Sequence, residues 1–287
     1  MWDPSLNDEA IEAWNGVLFD KWVRFRHLLT DGLAGHGDAV LAAHPPPEGG
    51  RVLDLGCGIG DTTLTIARRI GPSGSAVGVD AAPRMIELAR QEAAEAGVDN
   101  ARFEVADVQT TPLGGPYDYA FSRMGIMFFS SPVMALRNVR RALRSGGRLA
   151  ASVWRRREDN PWLHEAEVAV EALVPHPEAT DQPTCGPGPF SMAGADTVSA
   201  QLLAAGFVRP TLERHDFDIR IGNDIDEAIE FAMALGPAGE LLRLAGDQAE
   251  PMRPRVLRAL REVLTRYARP GGVLAPSSTW IMSAVVP

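Results

Sequence analysis

The chain has 287 residues, a net charge of −9 at pH 7 and an apolar fraction of 45%. It is long for one simple domain and short for two large ones, so a core domain carrying a sizeable insertion is expected. The acidic balance disfavours a nucleic-acid partner, which needs clustered basic surface. The only basic run, Arg155-Arg156-Arg157, reads as a solvated loop.

Cys57 and Cys185 are too few for a disulfide framework, and no residue set has the spacing of a metal site. There is no signal-peptide pattern, and no apolar run approaches the roughly 20 residues of a membrane span. No membrane partner and a reducing, cytoplasmic setting are therefore expected.

In chain order, residues 8–30 read as one amphipathic helix, with Ile11, Trp14, Leu18, Trp22, Phe25 and Leu29 on a stripe that needs cover. The turn-rich His44-Pro45-Pro46-Pro47-Glu48-Gly49-Gly50 separates it from a new folding unit. That unit starts with a strand at Arg51–Leu55, a glycine loop, and a helix through Ile70 that closes at Gly71-Pro72. A second strand (Ala76–Asp80) leads into a helix opened by Pro83 and burying Met85, Ile86, Ala89 and Ala93. Strands near Arg102–Ala106 and Tyr117–Phe121 follow. A helix from Ser131-Pro132 buries Leu136, Val139 and Leu143 and stops at Gly146-Gly147, before a fifth strand at Arg148–Val153.

Beyond Trp154 a proline-rich stretch (Pro175, Pro177, Pro183, Pro187, Pro189) breaks the regularity. A helix at Asp196–Ala205 and a strand near Leu212–Ile221 resume it. Residues 224–268 read as helices, and the last strand lies at about Thr279–Val286.

This alternation predicts an α/β, Rossmann-like, doubly wound and mostly parallel seven-stranded sheet, with a helical cap from N-terminal and inserted segments. The expected division is a helical lid (1–44), a ligand-binding core (45–154), a cap segment (155–195), a core continuation (196–221), a helical cap insertion (222–270) and a final core strand (271–287). The loops after positions 55, 80, 106, 121 and 153 then share one rim, where ligands bind in such sheets.

Gly56, Gly58 and Gly60 occupy the first strand-to-helix turn, where the absence of a β-carbon lets a ligand approach the backbone. Their G-x-G-x-G spacing departs from the G-x-G-x-x-G of a pyrophosphate site. Adenosylmethionine has no pyrophosphate. It offers an amino-acid tail whose ammonium suits Asp54 at the end of the first strand, where an acid would repel a pyrophosphate. Asp80, twenty residues after Gly60, has the oxygens to accept both ribose hydroxyls, as it would also in an NAD site. Asp107 at the third strand end is placed to accept the adenine amino group, with Val108 against the ring. Three acids at three successive strand ends discriminate better than the glycines do.

Val52-Leu53-Asp54-Leu55-Gly56-Cys57-Gly58-Ile59-Gly60, Gly78-Val79-Asp80 and Ala106-Asp107 resemble the first three motifs of class I S-adenosylmethionine-dependent methyltransferases. Phe121-Ser122-Arg123-Met124-Gly125-Ile126-Met127-Phe128-Phe129 and Leu143-Arg144-Ser145-Gly146-Gly147-Arg148-Leu149 resemble the fourth motif and the turn after it. The resemblance covers roughly residues 50–154. It is nearest to the ubiquinone and menaquinone biosynthesis methyltransferases and natural-product enzymes, and Trp14-Asn15-Gly16 and Asn160-Pro161-Trp162 resemble a less characterised branch of that group. It implies cofactor contacts from Asp54, Gly56, Cys57, Gly58, Gly60, Asp80, Ala81, Met85, Ala106, Asp107, Val108, Ser122 and Arg123. One departure stands out: the helix after Asp80 often opens with serine in this family, whereas Ala81-Ala82-Pro83 lacks that cap, worth about 1 kcal/mol.

The expected activity is methyl transfer to a small, mostly hydrophobic metabolite or natural product, leaving S-adenosylhomocysteine. Trp14, Trp22, Met124, Met127, Phe128 and Trp162 are candidate substrate contacts, and for Phe128 and Phe129 a packing role weighs equally. Arg123 is a candidate for holding the cofactor carboxylate or an acidic substrate group. Where an acceptor needs a base, His164 near the rim is the first candidate and His27 on the lid the second, whereas His36 and His44 sit in loop-like sequence and are read as solvated. The rival readings are an NAD(P)-dependent oxidoreductase, a noncatalytic adenosylmethionine-binding protein, and an enzyme using the sulfonium for another reaction.

Overall fold

The computed structural model describes residues 5–174 and 188–287. Cys185, His176 and the prolines at 175, 177, 183 and 187 lie outside the described residues. Three helices open the chain: α1 (Ser5–Asn15), α2 (Val17–Arg24) and α3 (Arg26–Ala43). The single helix expected over 8–30 is thus broken twice. Gly16 sits at φ −110 and ψ −112, off the helical basin, and Phe25 turns the chain again at φ −104 and ψ 19.

The third helix runs on to Ala43, past the expected end at residue 30 and through Gly32, Gly35 and Gly37, which flank the position where His36 reads as loop-like. Those glycines are packing residues. A β-carbon at Gly32 would meet the Arg220 carbonyl oxygen at 2.9 Å, and one at Gly35 would enter the Phe217 ring. Small residues let α3 lie close against the sheet, and that gain outweighs their low helix propensity.

The core follows as β1 (Arg51–Leu55), α4 (Asp61–Ile70), β2 (Ser75–Asp80), α5 (Pro83–Ala96), β3 (Ala101–Val105), β4 (Tyr117–Arg123), α6 (Pro132–Ala142) and β5 (Leu143–Trp154). Next come α7 (Pro161–Glu171), α8 (Ala195–Ala204), β6 (Val208–Gly222), α9 (Ile225–Leu235), α10 (Pro237–Ala245), α11 (Arg253–Thr265), β7 (Ala268–Arg269) and β8 (Gly272–Val285). The strands order as β3-β2-β1-β4-β5-β8-β6, with the two-residue β7 pairing β8 beside the seven-strand path. Strands β1 to β5 pair in parallel, and β8 enters antiparallel between β5 and β6. The architecture is the Rossmann-like α/β sheet. Chain direction along the sheet reverses between β1 and β4, which opens the ligand crevice at their carboxyl ends.

Both faces are covered, which explains why β1 reads as a continuous buried run after Arg51. On one face Val40, Leu41, Ile66 and Ile70 of α3 and α4 pack with Val52, Tyr119 and Phe121. On the other, Leu136, Val139, Val198 and Leu202 of α6 and α8 join Leu53, Leu149 and Met282. Helices α7, α9, α10 and α11 pack on one another. No helix among the described residues is long and apolar enough to cross a membrane.

Asn160 anchors this helical group to the sheet. Its side chain is fully buried, its Oδ1 accepts the Ser278 N–H at 2.8 Å, and its Nδ2 donates to the Arg156 carbonyl at 3.0 Å. Replacing it strands a buried β8 donor. Asn160→Ala is expected to lower unfolding free energy by about 2 to 4 kcal/mol in urea titration; a change within experimental error would show that water replaces those bonds.

Candidate active site

The glycine loop joins β1 to α4 at the reversal point, and its glycines meet different constraints. Gly60 caps α4 in the left-handed region at φ +86, where a β-carbon would strike the Phe103 ring at 2.6 Å. At Gly58, with φ +54, a β-carbon would find nothing within 4 Å, so the residue borders open space. The loop is therefore folded by Gly60 and kept open by Gly58.

Asp80, at the end of β2, locks the loop in place. Its carboxylate accepts the Gly58 N–H at 3.0 Å and the Ala82 N–H at 2.9 Å. Burial pushes its protonation upward, and those backbone donors pull it back toward the ionised form. Asp54 at the end of β1 is fully buried and accepts the Thr63 hydroxyl at 2.6 Å. Burial raises its carboxyl to about 7, with the Thr63 bond opposing. Asp107, after β3, accepts Asn7 Nδ2 at 2.6 Å, Thr110 Oγ1 at 2.8 Å and the Gln109 N–H at 3.0 Å.

A cavity of about 1060 Å³ borders all three acids, the glycine loop, Ala81, Met85, Ala106 and Val108. It continues past Arg123, Met124, Met127 and Phe128 to Trp154, Trp162 and Phe231, under α9 and α10. Met124 holds a positive φ of 58, and its N–H donates to the Ser152 carbonyl at 3.0 Å. A left-handed turn in a non-glycine residue at a cavity wall is the kind of strain that the surrounding structure must hold in place. It sends the chain from the strand into the apolar wall. Among the described residues no group of three metal-ligating side chains is assembled.

Several expectations need correction. Ser122 faces away from the cavity: it is fully buried and donates to the Leu55 carbonyl at 2.8 Å, tying β4 to β1. His164 does not border the cavity, because on α7 it is Trp162, Leu163 and Glu167 that face it. His27 lies outside as well, exposed and 2.8 Å from Glu227. His36 is fully buried rather than solvated: its Nε2 donates to Ser277 Oγ at 2.8 Å, since that hydroxyl donates onward to the Phe217 carbonyl. Burial and the neighbouring His215 drive its protonation down to about 3. Arg123 borders the cavity but bonds Asp61 at 2.7 Å, so its carboxylate partner is within the chain.

Sequence comparison agrees with this geometry. The family described as methyltransferase domain matches residues 47–192, half of the chain. The chain belongs to the methyltransferase domain family. It is 29% identical over 244 residues to nocamycin O-methyltransferase of Saccharothrix syringae, covering 80% of this chain and 83% of that one. It is 39% identical over 117 residues to aklanonic acid methyltransferase DauC of a Streptomyces species, covering 40% and 52%. The matched stretch spans 34% and 52% of the lengths of the first two curated relatives. The YcgJ protein of Bacillus subtilis shares the fold, with a TM-score of 0.56 at 20% identity over 87% of this chain and 97% of that one.

This family member closes the rim beside Asp80 and Asp107 with α1 and α2. Ala82 gives α5 no side-chain cap, but Asn15 Oδ1 accepts the Arg84 N–H at 2.9 Å from the lid. The Arg84 guanidinium returns bonds to the Asn15 carbonyl (3.2 Å) and Asp20 (2.8 Å), and lies 3.9 Å from the Phe19 ring centre. Asn7 fastens the other end to Asp107 and Gln109. Trp14 and Trp22 consequently pack with Ile59, Ala82 and Met85. Asn7, Asn15, Asp61 and Arg84 do not stand out in the sequence as site residues. The signals there are the Trp14-Asn15-Gly16 run and the missing cap on α5, which requires a partner from elsewhere.

Two expectations follow. The unfolded Asp54 carboxyl loses its proton near 3.9, the folded one near 7, so between these values the folded state holds the extra proton. The Asp54 contribution to stability should fall by a few kcal/mol as pH rises from 4 to 7, against the opposite slope that buried His36 gives below pH 6.5, and Asp54→Asn should remove that contribution, raising stability at pH 8 relative to pH 5 in urea titrations compared with wild type; an unchanged difference would exclude it. Arg84→Ala should raise hydrogen exchange over residues 5–24 by about five- to tenfold while the sheet stays protected. Unchanged exchange there would mean that apolar packing alone holds the lid.

Proposed function

We propose that the chain binds S-adenosylmethionine and transfers its methyl group to a small, mostly hydrophobic acceptor of the natural-product type. The observation that carries this is that one cavity joins the strand-end acids to an apolar wall of Met127, Phe128, Trp162 and Phe231. The residues present fit that cofactor. The open side of Gly58 admits a ligand against the backbone, and the buried Asp54 carboxyl is a seat that an ammonium would complete.

In this reading Asp80 accepts ribose hydroxyls with the capacity left beyond its two backbone donors. Asp54 takes the ammonium, and Asp107 takes the adenine amino group beside Val108 and Met85. Arg123 stays with Asp61 and fixes the start of α4. When bound, the cofactor supplies a methyl on a positively charged sulfur together with its own leaving group. The chain then has to align the acceptor and exclude water, and α1, α2, α9 and α10 do so from above the strand ends. Alignment of this kind contributes about 7 to 11 kcal/mol, more than a positioned base usually supplies. The names of the relatives, a nocamycin and an aklanonic acid methyltransferase, favour an acceptor of similar size and polarity.

Calorimetry should find binding of adenosylmethionine and adenosylhomocysteine and none of NAD(H) or NADP(H). Asp80→Asn should weaken adenosylhomocysteine by several-fold to a few hundredfold, about 1 to 3 kcal/mol for altered bonds to a charged group. Tight NAD(H) binding without the sulfonium ligand would sink the reading.

A further inference from the structure

The cations around the cavity are almost all committed. Arg123 bonds Asp61, Arg157 pairs with Glu167 and covers the Phe190 ring, Arg243 forks onto Glu240, and Arg220 donates to the Gly271 carbonyl. Lys21 on α2 differs. It borders the same cavity, half-buried, and among the described residues its ammonium has no hydrogen bond, ion pair or ring partner. A cation held beside an apolar wall without a counter-charge is a seat for an anion.

A second observation is independent of the first. Among the described residues no histidine or tyrosine borders the cavity. The strand-end acids are held by Thr63, by the Gly58 and Ala82 N–H groups, and by Asn7, Thr110 and Gln109, and in the reading above they face the cofactor rather than the acceptor. Glu9 and Glu12 lie on α1, and solvated carboxylates as a class are too weak to deprotonate an alcohol or a phenol. These walls suit a nucleophile that arrives already ionised.

Resting on the methyltransferase reading, we infer that the acceptor is a hydrophobic organic acid, placed by its carboxylate on Lys21 and methylated there to an ester. A carboxylate oxygen forms the bond to the methyl carbon while the carbon–sulfur bond breaks. That electron pair stays on sulfur, which passes from sulfonium to neutral thioether. No proton moves, so the walls need supply no base.

The test uses the full chain saturated with adenosylhomocysteine and titrated with 2-naphthoate and anthraquinone-2-carboxylate, each beside its neutral methyl ester. At least one acid should bind about tenfold more tightly than its ester, and Lys21→Met should abolish that preference without changing the ester or adenosylhomocysteine affinities. With adenosylmethionine held saturating at every pH, so that Asp54 titration does not limit cofactor binding, the rate of ester formation should be flat from pH 6 to 9. Acids binding no better than esters, neither binding, a preference that survives Lys21→Met, or a rate climbing with pH would each overturn the inference. Failure to bind adenosylhomocysteine at all, measured first and without acid, would instead strike the methyltransferase reading.

Discussion

The site depends on one half-buried carboxylate. Asp80 ends β2, and its two oxygens take backbone donors from two neighbouring rim loops, Gly58 from the loop after β1 and Ala82 from the entrance to α5. Without that acid two N–H groups would face each other across the strand ends, and the loop would lose the contact that fixes its height above the sheet. The register places it there: Asp54 pairs Gly78 and Leu55 pairs Val79, so Asp80 extends one residue beyond the last paired position of β1. A charge in that position would be costly if left bare, and hydrogen bonds to the ionised form offset the cost.

What the sequence made legible was the part governed by local rules. Strand alternation, the glycine spacing and the acids at successive strand ends concern residues whose neighbours in space are also near in the βαβ unit. The misreadings have a different physical origin. The glycines at 32, 35 and 37 look like a loop until the sheet is laid beside them, and β6, which meets the first two, lies nearly two hundred residues further on. His36 looked solvated for the same reason, because its partners His215, Ser277 and Thr279 all belong to the distant β6–β8 ribbon. Ser122 has the polarity of a ligand contact, but strand alternation turns it inward to the Leu55 carbonyl. His164 shows the limit of proximity along the chain: two residues from Trp162, it is about 200° around the helix from it.

Electrostatics around the cavity divide into two regions. At the strand ends the acids are buried or half-buried and stabilised by backbone or side-chain donors, so negative charge is concentrated where a cationic ligand is best received. Toward the cap the charges come as pairs, Arg157 with Glu167 and Arg243 with Glu240, which leaves the wall near neutrality between them. Paired charges cost little and attract little. The surroundings of the two ends therefore differ in kind, one lined by held acids and the other apolar, with Lys21 as the cation there that no acid pairs among the described residues.

The lid connects these regions through a deficiency in α5. A local serine cap would make the start of α5 self-sufficient. With alanine at 81 and 82 the Arg84 N–H finds no side-chain acceptor in its own neighbourhood, and Asn15 supplies one from α1. Helix α5 is thus complete only when α1 is seated, and α1 is seated at its other end on Asp107 and Gln109. The same contacts hold Trp14 against Phe128, at 5.0 Å between ring centres, on the apolar wall. A cap taken from the lid rather than from the local chain makes order in the lid, the α5 entrance and the apolar wall mutually dependent. Any ligand that bears on Asp80 or Asp107 therefore acts on a surface whose integrity already includes the lid, and the cost of ordering that lid is shared with contacts the core needs in any case.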